Sequence, residues 1–316
     1  MPLDPQCQAL LTAIESMGLP AFADMSPDET RQAVMGFKML MGEPEEVAAV
    51  EDRELPGAAA PVPVRIYTPA GAGPGPLPVV VWFHLGGFVF GSVEWVDPIT
   101  RALANRSGCV VVSVDYRLAP EHPYPAARDD AWAAVTWVAE HAAEIGADPD
   151  RLAVGGDSAG ANLATVTCLM AKERGGPPIA FQLLIYPSPD CSEDAFAMPS
   201  HRENGEAGFL ITNADIRTWW SHYIRGGTDP RDPHVSPTHA SDLSGLPPAL
   251  VITAEYDPLR DPGEAYARRL AEAGVPTELR RYDGQIHAFF IVPAAVEAGG
   301  RCMDEVSEAL RKALGA

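Results

Sequence analysis

One short segment of the chain has the composition of a nucleophilic site. Residues 156–160 have the sequence Gly-Asp-Ser-Ala-Gly, between an apolar run at 152–154 and a helical pattern at 161–172. A serine on a sharp turn from a strand into a helix is held in strained backbone geometry, and small neighbours make room for it. The amides and the dipole of the helix favour negative charge near Ser158. The alternative is a glycine-rich turn with an incidental serine.

A serine hydroxyl becomes a good nucleophile only when a base accepts its proton and a third group orients that base. Chains with this turn carry the three residues in the order serine, acid, histidine. Asp257 follows an apolar run at 249–254 and His287 follows a strand pattern at 277–282, where parallel sheets place their sites. Asp261 is the alternative acid, although it lies where a residue would start or cap the next helix. The seven other histidines lie in a helix, in loops or upstream of the serine.

Acyl transfer also needs hydrogen-bond donors for the oxyanion that forms on the substrate. Residues 83–88 have the sequence Phe-His-Leu-Gly-Gly-Phe and follow an apolar run. Gly86 and Gly87 would let backbone amides approach the substrate oxygen, together with the amide of Ala159. The alternative is an ordinary loop that contains a pair of glycines.

The elements that must position these groups alternate between strands and helices. Continuous apolar runs predict buried strands, and they lie at 79–83, 109–114, 152–154, 181–186 and 249–254. Helical patterns separate them. This alternation predicts an α/β fold with a mostly parallel sheet covered by helices on both faces.

Two regions depart from that alternation. Residues 4–40 repeat apolar residues at helical spacing, with Ser26 at a helix start, and residues 1–41 contain six of the nine methionines. Methionine suits an adaptable lid over a pocket, or equally the ordinary packing of helices. Residues 188–247 form a long insertion with one aromatic helix at 214–224. Because such long insertions are usually functional, we expect both regions to cover the nucleophile.

Composition excludes several classes of function. The formal net charge of −20 argues against binding to nucleic acid or to anionic membranes, which requires basic patches. Five scattered cysteines without a CxxC pair predict reduced thiols in the cytoplasm. The sequence has neither the pattern of a signal peptide nor an apolar run of about 18 residues. No motif for a metal or an organic cofactor is present, so we expect none.

In this order, the motifs resemble those of the bacterial hormone-sensitive-lipase-like esterases, also called family IV, within the α/β-hydrolase fold. The matching segments lie at 84–91, 115–126, 156–160, 257–261 and 284–287. The resemblance implies a mainly helical cap at 1–45 and 188–247 and a catalytic core at 46–187 and 248–316. It implies three catalytic residues, Ser158, Asp257 and His287. It also implies three oxyanion donors, Gly86, Gly87 and Ala159.

The resemblance further implies the reaction, which is hydrolysis of short- to medium-chain carboxylic esters through an acyl-enzyme. It implies a homodimer joined at the edge of the last strand. The residues expected to line the substrate pocket are Leu85, Phe88, Asp157, Phe209 and Leu210. Hydrolysis of amides, carbamates or lactones is one alternative, and a receptor without catalysis is another. The presence of His287 argues against the receptor, since receptors of this fold typically lack that histidine.

Two residues depart from the pattern of the similar enzymes. Leu85 stands where they carry glycine, so we expect backbone strain there if the position requires positive φ. We also expect Leu85 to alter selectivity or rate, with the oxyanion donors intact. Ala288 stands where glycine is common after the histidine, and we expect little effect from its methyl group.

Overall fold

The apolar runs of the sequence form strands of one sheet in the computed structural model, which describes residues 1–73 and 75–316. The strands are β1 Ala49–Leu55, β2 Val62–Thr68, β3 Leu77–Phe83, β4 Val110–Val114, β5 Ala147–Asp157, β6 Phe181–Ile185, β7 Ala249–Tyr256 and β8 Thr277–Ile286. Their order across the sheet is β1-β2-β4-β3-β5-β6-β7-β8. The strand that leads to the serine is longer than its apolar run, because it begins at Ala147.

The sheet is mostly parallel, as the alternation of strands and helices predicts. Every pair from β4-β3 to β7-β8 is parallel, and only the pairs β1-β2 and β2-β4 are antiparallel. All five residues of β4 are buried. Because successive side chains of a strand point to opposite faces, the sheet is covered on both sides. The predicted α/β fold is therefore confirmed.

The described part of the chain contains nine α-helices. They are α1 Pro5–Ser16, α2 Pro27–Met35, α3 Asp97–Ser107, α4 Ala126–His141, α5 Ala159–Arg174, α6 Pro199–Asn204, α7 Asn213–Tyr223, α8 Arg260–Glu272 and α9 Glu297–Leu314. None of the helices in residues 1–73 and 75–316 combines the length and the apolar character that crossing a membrane requires.

The carboxyl ends of the parallel strands lie along one edge of the sheet. The loop 84–91 follows β3, Ser158 follows β5, Asp257 follows β7 and His287 follows β8. Each candidate group therefore stands directly after the last residue of a strand. A rigid sheet thus sets the distances between groups that are far apart in sequence.

The N-terminal segment, residues 1–45, is broken into short helices rather than continuously helical. Ser26 caps α2 through a capping box with Glu29, as its position before Pro27 predicts. Four of the six methionines of this segment are exposed, and two, Met25 and Met41, are buried. The buried side chains of α1 and α2 are those of Cys7, Leu10, Thr30 and Val34.

The start of α9 packs closely against the loop that follows His287. A Cβ on Gly299 would lie 2.5 Å from the carbonyl oxygen of Phe289, whereas a Cβ on Gly300 would meet nothing within 4 Å. The two adjacent glycines of one helix therefore differ in the space around them. Gly299 allows the helix and the loop to touch, and Gly300 only lowers the stability of the helix.

We therefore predict opposite effects of two neighbouring substitutions. Gly300→Ala should raise the free energy of unfolding by about 0.5–1 kcal/mol, because alanine loses less conformational entropy in a helix. Gly299→Ala should lower it, because the new methyl group overlaps the backbone of Phe289. Urea unfolding of both variants beside the parent protein measures the two shifts. A stabilising Gly299→Ala would contradict the close contact.

Candidate active site

Ser158 lies on the turn between β5 and α5, with backbone angles φ 55° and ψ −116°. This conformation is strained for a residue with a side chain. The residues two positions before and after it are glycines because nothing larger fits. A Cβ on Gly156 would lie 2.5 Å from the carbonyl oxygen of Phe83, and one on Gly160 would lie 1.9 Å from the same atom. The close approach of β3, β5 and α5 thus shapes the turn that presents Ser158 Oγ.

Three buried side chains from three strand ends meet at this turn. His287 Nε2 lies 3.1 Å from Ser158 Oγ, and His287 Nδ1 lies 2.7 Å from Asp257 Oδ2. A neutral imidazole has one donor and one acceptor nitrogen. If Nδ1–H donates to the carboxylate, Nε2 is left to accept the proton of the serine. The structure thus brings together the serine, the acid and the histidine that the sequence singles out.

Asp257 is held by its own loop and by α6. Its side-chain Oδ1 accepts a hydrogen bond from the amide of Leu259 at 2.8 Å, and Asn204 Nδ2, from α6, donates to its backbone carbonyl oxygen at 3.2 Å. Asp261, the alternative acid, lies in the first turn of α8 and accepts from the amide of Ser200 at 2.8 Å. Asp261 therefore joins α8 to α6, while Asp257 contacts the imidazole.

The loop 84–91 turns sharply at its two glycines. Gly86 has φ 132° and Gly87 has φ 57°, values that favour glycine. A Cβ on Gly86 would stand 1.9 Å from a backbone oxygen four residues on, and one on Gly87 would stand 2.9 Å from the ring of Trp219. Ala159 is the first residue of α5, where helix amides have no partner within the helix. Gly86, Gly87 and Ser158 line the same cavity.

Leu85 and Ala288, the two residues that depart from the esterase pattern, do not have the backbone conformations that we expected. Among the described residues, Leu85 is not one of those with positive φ, so the expected backbone strain is absent there. Its side chain is buried and lines the cavity beside Ser158. Ala288, in contrast, has φ 62° and ψ 10°. A side chain in this left-handed conformation costs on the order of 1 kcal/mol, so Ala288 is the strained position.

An apolar cavity of about 70 Å³ lies beside Ser158 and His287. Apart from two tryptophans, the polar side chains in its lining are those of Ser158 and His287. Its apolar lining comes from four parts of the chain: Leu10, Ile14, Phe22, Val34, Phe37, Leu40; Leu85, Phe90, Trp95; Leu210, Ile211, Trp219; and Ala288, Ile291, Val292. The cavity can therefore hold a small apolar group with its reacting atom at the serine.

Two of the five residues predicted for the substrate pocket line this cavity, Leu85 and Leu210. The other three do not line it, because their side chains face other parts of the structure: Phe88, Asp157 and Phe209. The ring of Phe88 stacks on Tyr223 with centroids 3.8 Å apart, and the ring of Phe209 packs on Tyr256. Asp157 is buried beside another tyrosine, Tyr186.

Most of the cavity wall was not identified from the sequence. The helical spacing of Val34, Phe37 and Leu40 indicated that these residues face inward, but not which surface they face. Trp219 belongs to the aromatic helix of the insertion, and only its contact with the loop 84–91 gives it a place at the site. The sequence therefore showed apolar periodicity in these segments, but not the surface against which each segment packs.

Polar contacts of Arg31 and Asp4 join the N-terminal segment to the surroundings of the site. Arg31 of α2 donates to the carbonyl oxygen of Val89 at 2.9 Å and pairs with Glu121 at 2.7 Å. The guanidinium of Arg31 lowers the pKa of Glu121 to about 2. The amide of Asp4, at the start of α1, donates to the carbonyl oxygen of Gly284 at 2.9 Å. The first helix is therefore attached three residues before His287.

His84 shapes the loop 84–91 from beneath. Its Nδ1 lies 2.7 Å from the carbonyl oxygen of Leu85, and its ring stacks on Tyr116 with centroids 4.3 Å apart. Burial lowers the pKa of His84, which favours the neutral ring.

No group of three or more His, Cys, Asp or Glu side chains in residues 1–73 and 75–316 is arranged as a metal site would need.

Asp157 is a buried carboxyl group immediately before the serine. Tyr186 donates a hydrogen bond to its Oδ2 at 3.2 Å. Burial raises the pKa of Asp157 to about 7, although the hydroxyl of Tyr186 and the backbone amide of Leu85 oppose the rise. This carboxyl group therefore changes charge near neutral pH, close to the candidate catalytic groups.

Known proteins resemble this chain over most of its length. A family model described as the α/β-hydrolase fold matches residues 80–291. Carboxylesterase NlhH of Mycobacterium tuberculosis is 46% identical over 257 residues, which are 79% of each chain. The arylesterase of Saccharolobus solfataricus is 38% identical, with 93% of this chain and 94% of the relative covered.

A solved structure has the same architecture. The ester-hydrolase EH1AB1 from the metagenome of Lake Arreo, complexed with a derivative of bipyridine phosphonate, superposes with a TM-score of 0.95. It is 40% identical, and the match covers 99% of this chain and 100% of that chain. The family match, the identities and the eight-stranded sheet agree, and the chain belongs to the α/β-hydrolase family.

Proposed function

We propose that the protein is a serine carboxylesterase that hydrolyses esters of short acyl chains. The observation that carries the proposal is the hydrogen-bonded series Ser158–His287–Asp257, with distances of 3.1 and 2.7 Å. An apolar cavity opens at the serine, as an acyl group requires. The relatives named carboxylesterase, arylesterase and ester-hydrolase support the same reaction.

In the proposed mechanism, Ser158 Oγ attacks the ester carbonyl while His287 Nε2 accepts its proton. Asp257 holds the imidazole and stabilises the imidazolium. The amides of Gly86, Gly87 and Ala159 donate to the oxyanion of the tetrahedral intermediate. His287 then protonates the leaving alcohol, and water attacks the acyl-enzyme by the same route to release the acid.

We further propose that residues 1–45 and 188–247 form a cap over a core of 46–187 and 248–316. The two segments contact each other, since the amide of Ala23 donates to Asp215 Oδ1 at 2.7 Å. The rings of Phe22 and Trp219 also pack with centroids 6.0 Å apart. Both segments supply walls to the cavity beside Ser158. The cap in this proposal limits the size of the acyl group.

The size of the cavity supports a short acyl chain. A dry cavity of about 150 Å³ accommodates benzene, and the cavity beside Ser158 has about half that volume, 70 Å³. Leu85, where similar enzymes carry glycine, takes part of the space that a longer chain would need. We propose that Leu85 and Trp219 together narrow the acyl site.

The proposed substrate is a small-molecule ester, and the proposed compartment is the cytoplasm. All five cysteines are free and buried, which suits a reducing environment. Burial raises the pKa values of the thiols of Cys7 and Cys109 to about 11, so these thiols stay protonated. The net charge of −20 favours neither nucleic acid nor an anionic membrane as a partner.

The proposed function leads to three predictions, and the first concerns a series of p-nitrophenyl esters from acetate to palmitate. Hydrolysis should be fastest for short chains, because the cavity excludes long ones. Ser158→Ala should lower kcat by several orders of magnitude, because it removes the nucleophile. Matched p-nitroanilides separate ester from amide hydrolysis. Equal rates for the parent protein and Ser158→Ala, or no hydrolysis of any ester by the folded parent, would contradict the proposal.

The second prediction compares two adjacent tryptophans of α7. Trp219→Ala should raise the ratio of kcat/KM for octanoate over butyrate about tenfold, because it makes room for further methylene groups. Trp220→Ala is the matched control: Trp220 is also buried, but it packs on Phe196 and does not line the cavity. Its ratio should stay that of the parent protein. Equal shifts in both variants would refute the assigned wall.

The third prediction concerns the proposed homodimer. β8 is the last strand of the sheet, and its outer edge carries backbone groups without a neighbouring strand. Pairing of two such edges would join two sheets. Light scattering should therefore give a mass twice the 33.7 kDa of the chain. A mass of one chain at micromolar concentration would contradict this proposal without affecting the proposed reaction.

A further inference from the structure

Tyr186 occupies a strained position directly after β6, at the edge of the sheet that carries the candidate catalytic groups. Its φ is 32°, which is rare for a residue with a side chain. Its amide donates to the carbonyl oxygen of Ile252 at 2.6 Å, and its side chain is fully buried. Strained backbone of this kind persists where surrounding contacts impose it, most often at functional sites.

The side chain of Tyr186 links two groups of the site. Its hydroxyl donates to Asp157 Oδ2 at 3.2 Å. Its ring centroid lies 4.7 Å from that of His287, with the planes at 54°. The two nitrogens of His287 face Asp257 and Ser158. Tyr186 therefore contacts the imidazole ring itself and not one of its hydrogen-bonded nitrogens. Asp157, Tyr186 and His287 therefore form a continuous series.

The surroundings of Asp157 and Tyr186 contain acids, phenols, imidazoles and one thiol. The titratable groups that face this region are Asp115, Asp257, Tyr116, Tyr186, His84, His287 and, beside Tyr186, Cys302. Among the salt bridges of the described residues, none pairs Asp157 with an arginine or a lysine. When Asp157 ionises, no buried arginine or lysine neutralises it, and the hydroxyl of Tyr186 remains its partner.

Building on the proposed function, we propose that Asp157 and Tyr186 are positioning residues that stabilise the imidazolium form of His287. The carboxylate accepts the hydrogen bond of the phenol and makes its ring richer in electrons. The ring, within the 6 Å range of cation–π contacts, then attracts the cation. The imidazolium forms only when Ser158 loses its proton, so the interaction favours the transition state over the free enzyme.

The same carboxylate must be ionised for this role. Burial raises the pKa of Asp157 from 3.8 to about 7, so the group is neutral in mildly acidic solution and anionic above neutrality. The imidazolium is therefore stabilised most strongly at neutral to alkaline pH. Protonation of Asp157 weakens this support as the pH falls below about 7.

The direct test is an NMR titration of His287 in a Ser158→Ala background. We expect Asp157→Asn and Tyr186→Phe each to lower the pKa of His287 by about half to one unit. We expect the double variant to lower it no further, because both substitutions interrupt one series. Tyr223→Phe is the matched control: Tyr223 is also a buried tyrosine, but it stacks on Phe88. An unchanged titration, or single effects that add, would overturn the proposal.

Kinetics provides the second measurement. In the protein with Ser158 intact, each single variant should lose about three- to tenfold in kcat with KM unchanged, and the acidic limb of kcat/KM should move to lower pH. A purely structural role would raise KM or lower activity equally at every pH. The titration does not depend on hydrolysis, so a failure of the proposed esterase reaction remains distinguishable from a failure of this inference.

Stability against pH tests whether Asp157 ionises in the folded protein. A raised folded-state pKa favours folding below the unfolded value of 3.8, and this contribution is lost as the pH rises through about 7. Relative to the parent protein, Asp157→Asn should therefore gain free energy of unfolding between pH 4 and 8. The difference should level off above about pH 7, where the folded protein also ionises at Asp157. A difference that still rises with the same slope through pH 8 would mean that no buried anion forms, and this too would overturn the proposal.

Discussion

The contact between Gly160 and the carbonyl oxygen of Phe83 is the constraint on which the site depends. A Cβ at Gly160 would lie 1.9 Å from that oxygen. The helix α5 can therefore approach β3 only because residue 160 is a glycine. The approach brings the end of β5 beside the end of β3, so Ser158 and the loop 84–91 emerge together. A larger residue would separate Ser158 from the amides of that loop. The strained φ of Ser158 follows from the same crowding.

The distances within the site depend on the sheet rather than on the loops. β5 is separated from β8 by β6 and β7, yet His287 reaches Ser158 because both strands end at the same edge. Asp257 follows β7, the neighbour of β8, and its loop is held by α6. A packed parallel sheet deforms little, which keeps the imidazole between its two partners. Strained residues with positive φ lie close after strand ends at Ser158, Tyr186 and Ala288, and farther from the strands at Phe88 and Leu210.

The sequence was informative where chemistry follows directly from a buried strand. Ser158 and Asp257 stand just after apolar runs and His287 follows a strand pattern, so topology alone predicts that they share one edge. The cavity was less predictable, because its wall combines residues as far apart as Leu10 and Val292. Periodicity identifies the inward face of a helix but not the surface that it meets. Backbone angles were equally inaccessible: the expected strain at Leu85 lies at Ala288 instead, because neither residue type reveals its φ.

The N-terminal helices contribute much of the apolar wall, but the groups proposed for catalysis come from the strand ends. Much of the cavity wall is therefore encoded apart from the candidate catalytic residues, although Leu85 lies in the loop 84–91 itself. Exchange of the first 45 residues between related genes would change the shape of the cavity while leaving Ser158 in place. The contacts of Asp4 with Gly284 and of Arg31 with Val89 limit this modularity, because an exchanged segment must reproduce them to keep the loops of the site in position. Recombination of such genes would thus succeed most often when those contacts are inherited with the new segment.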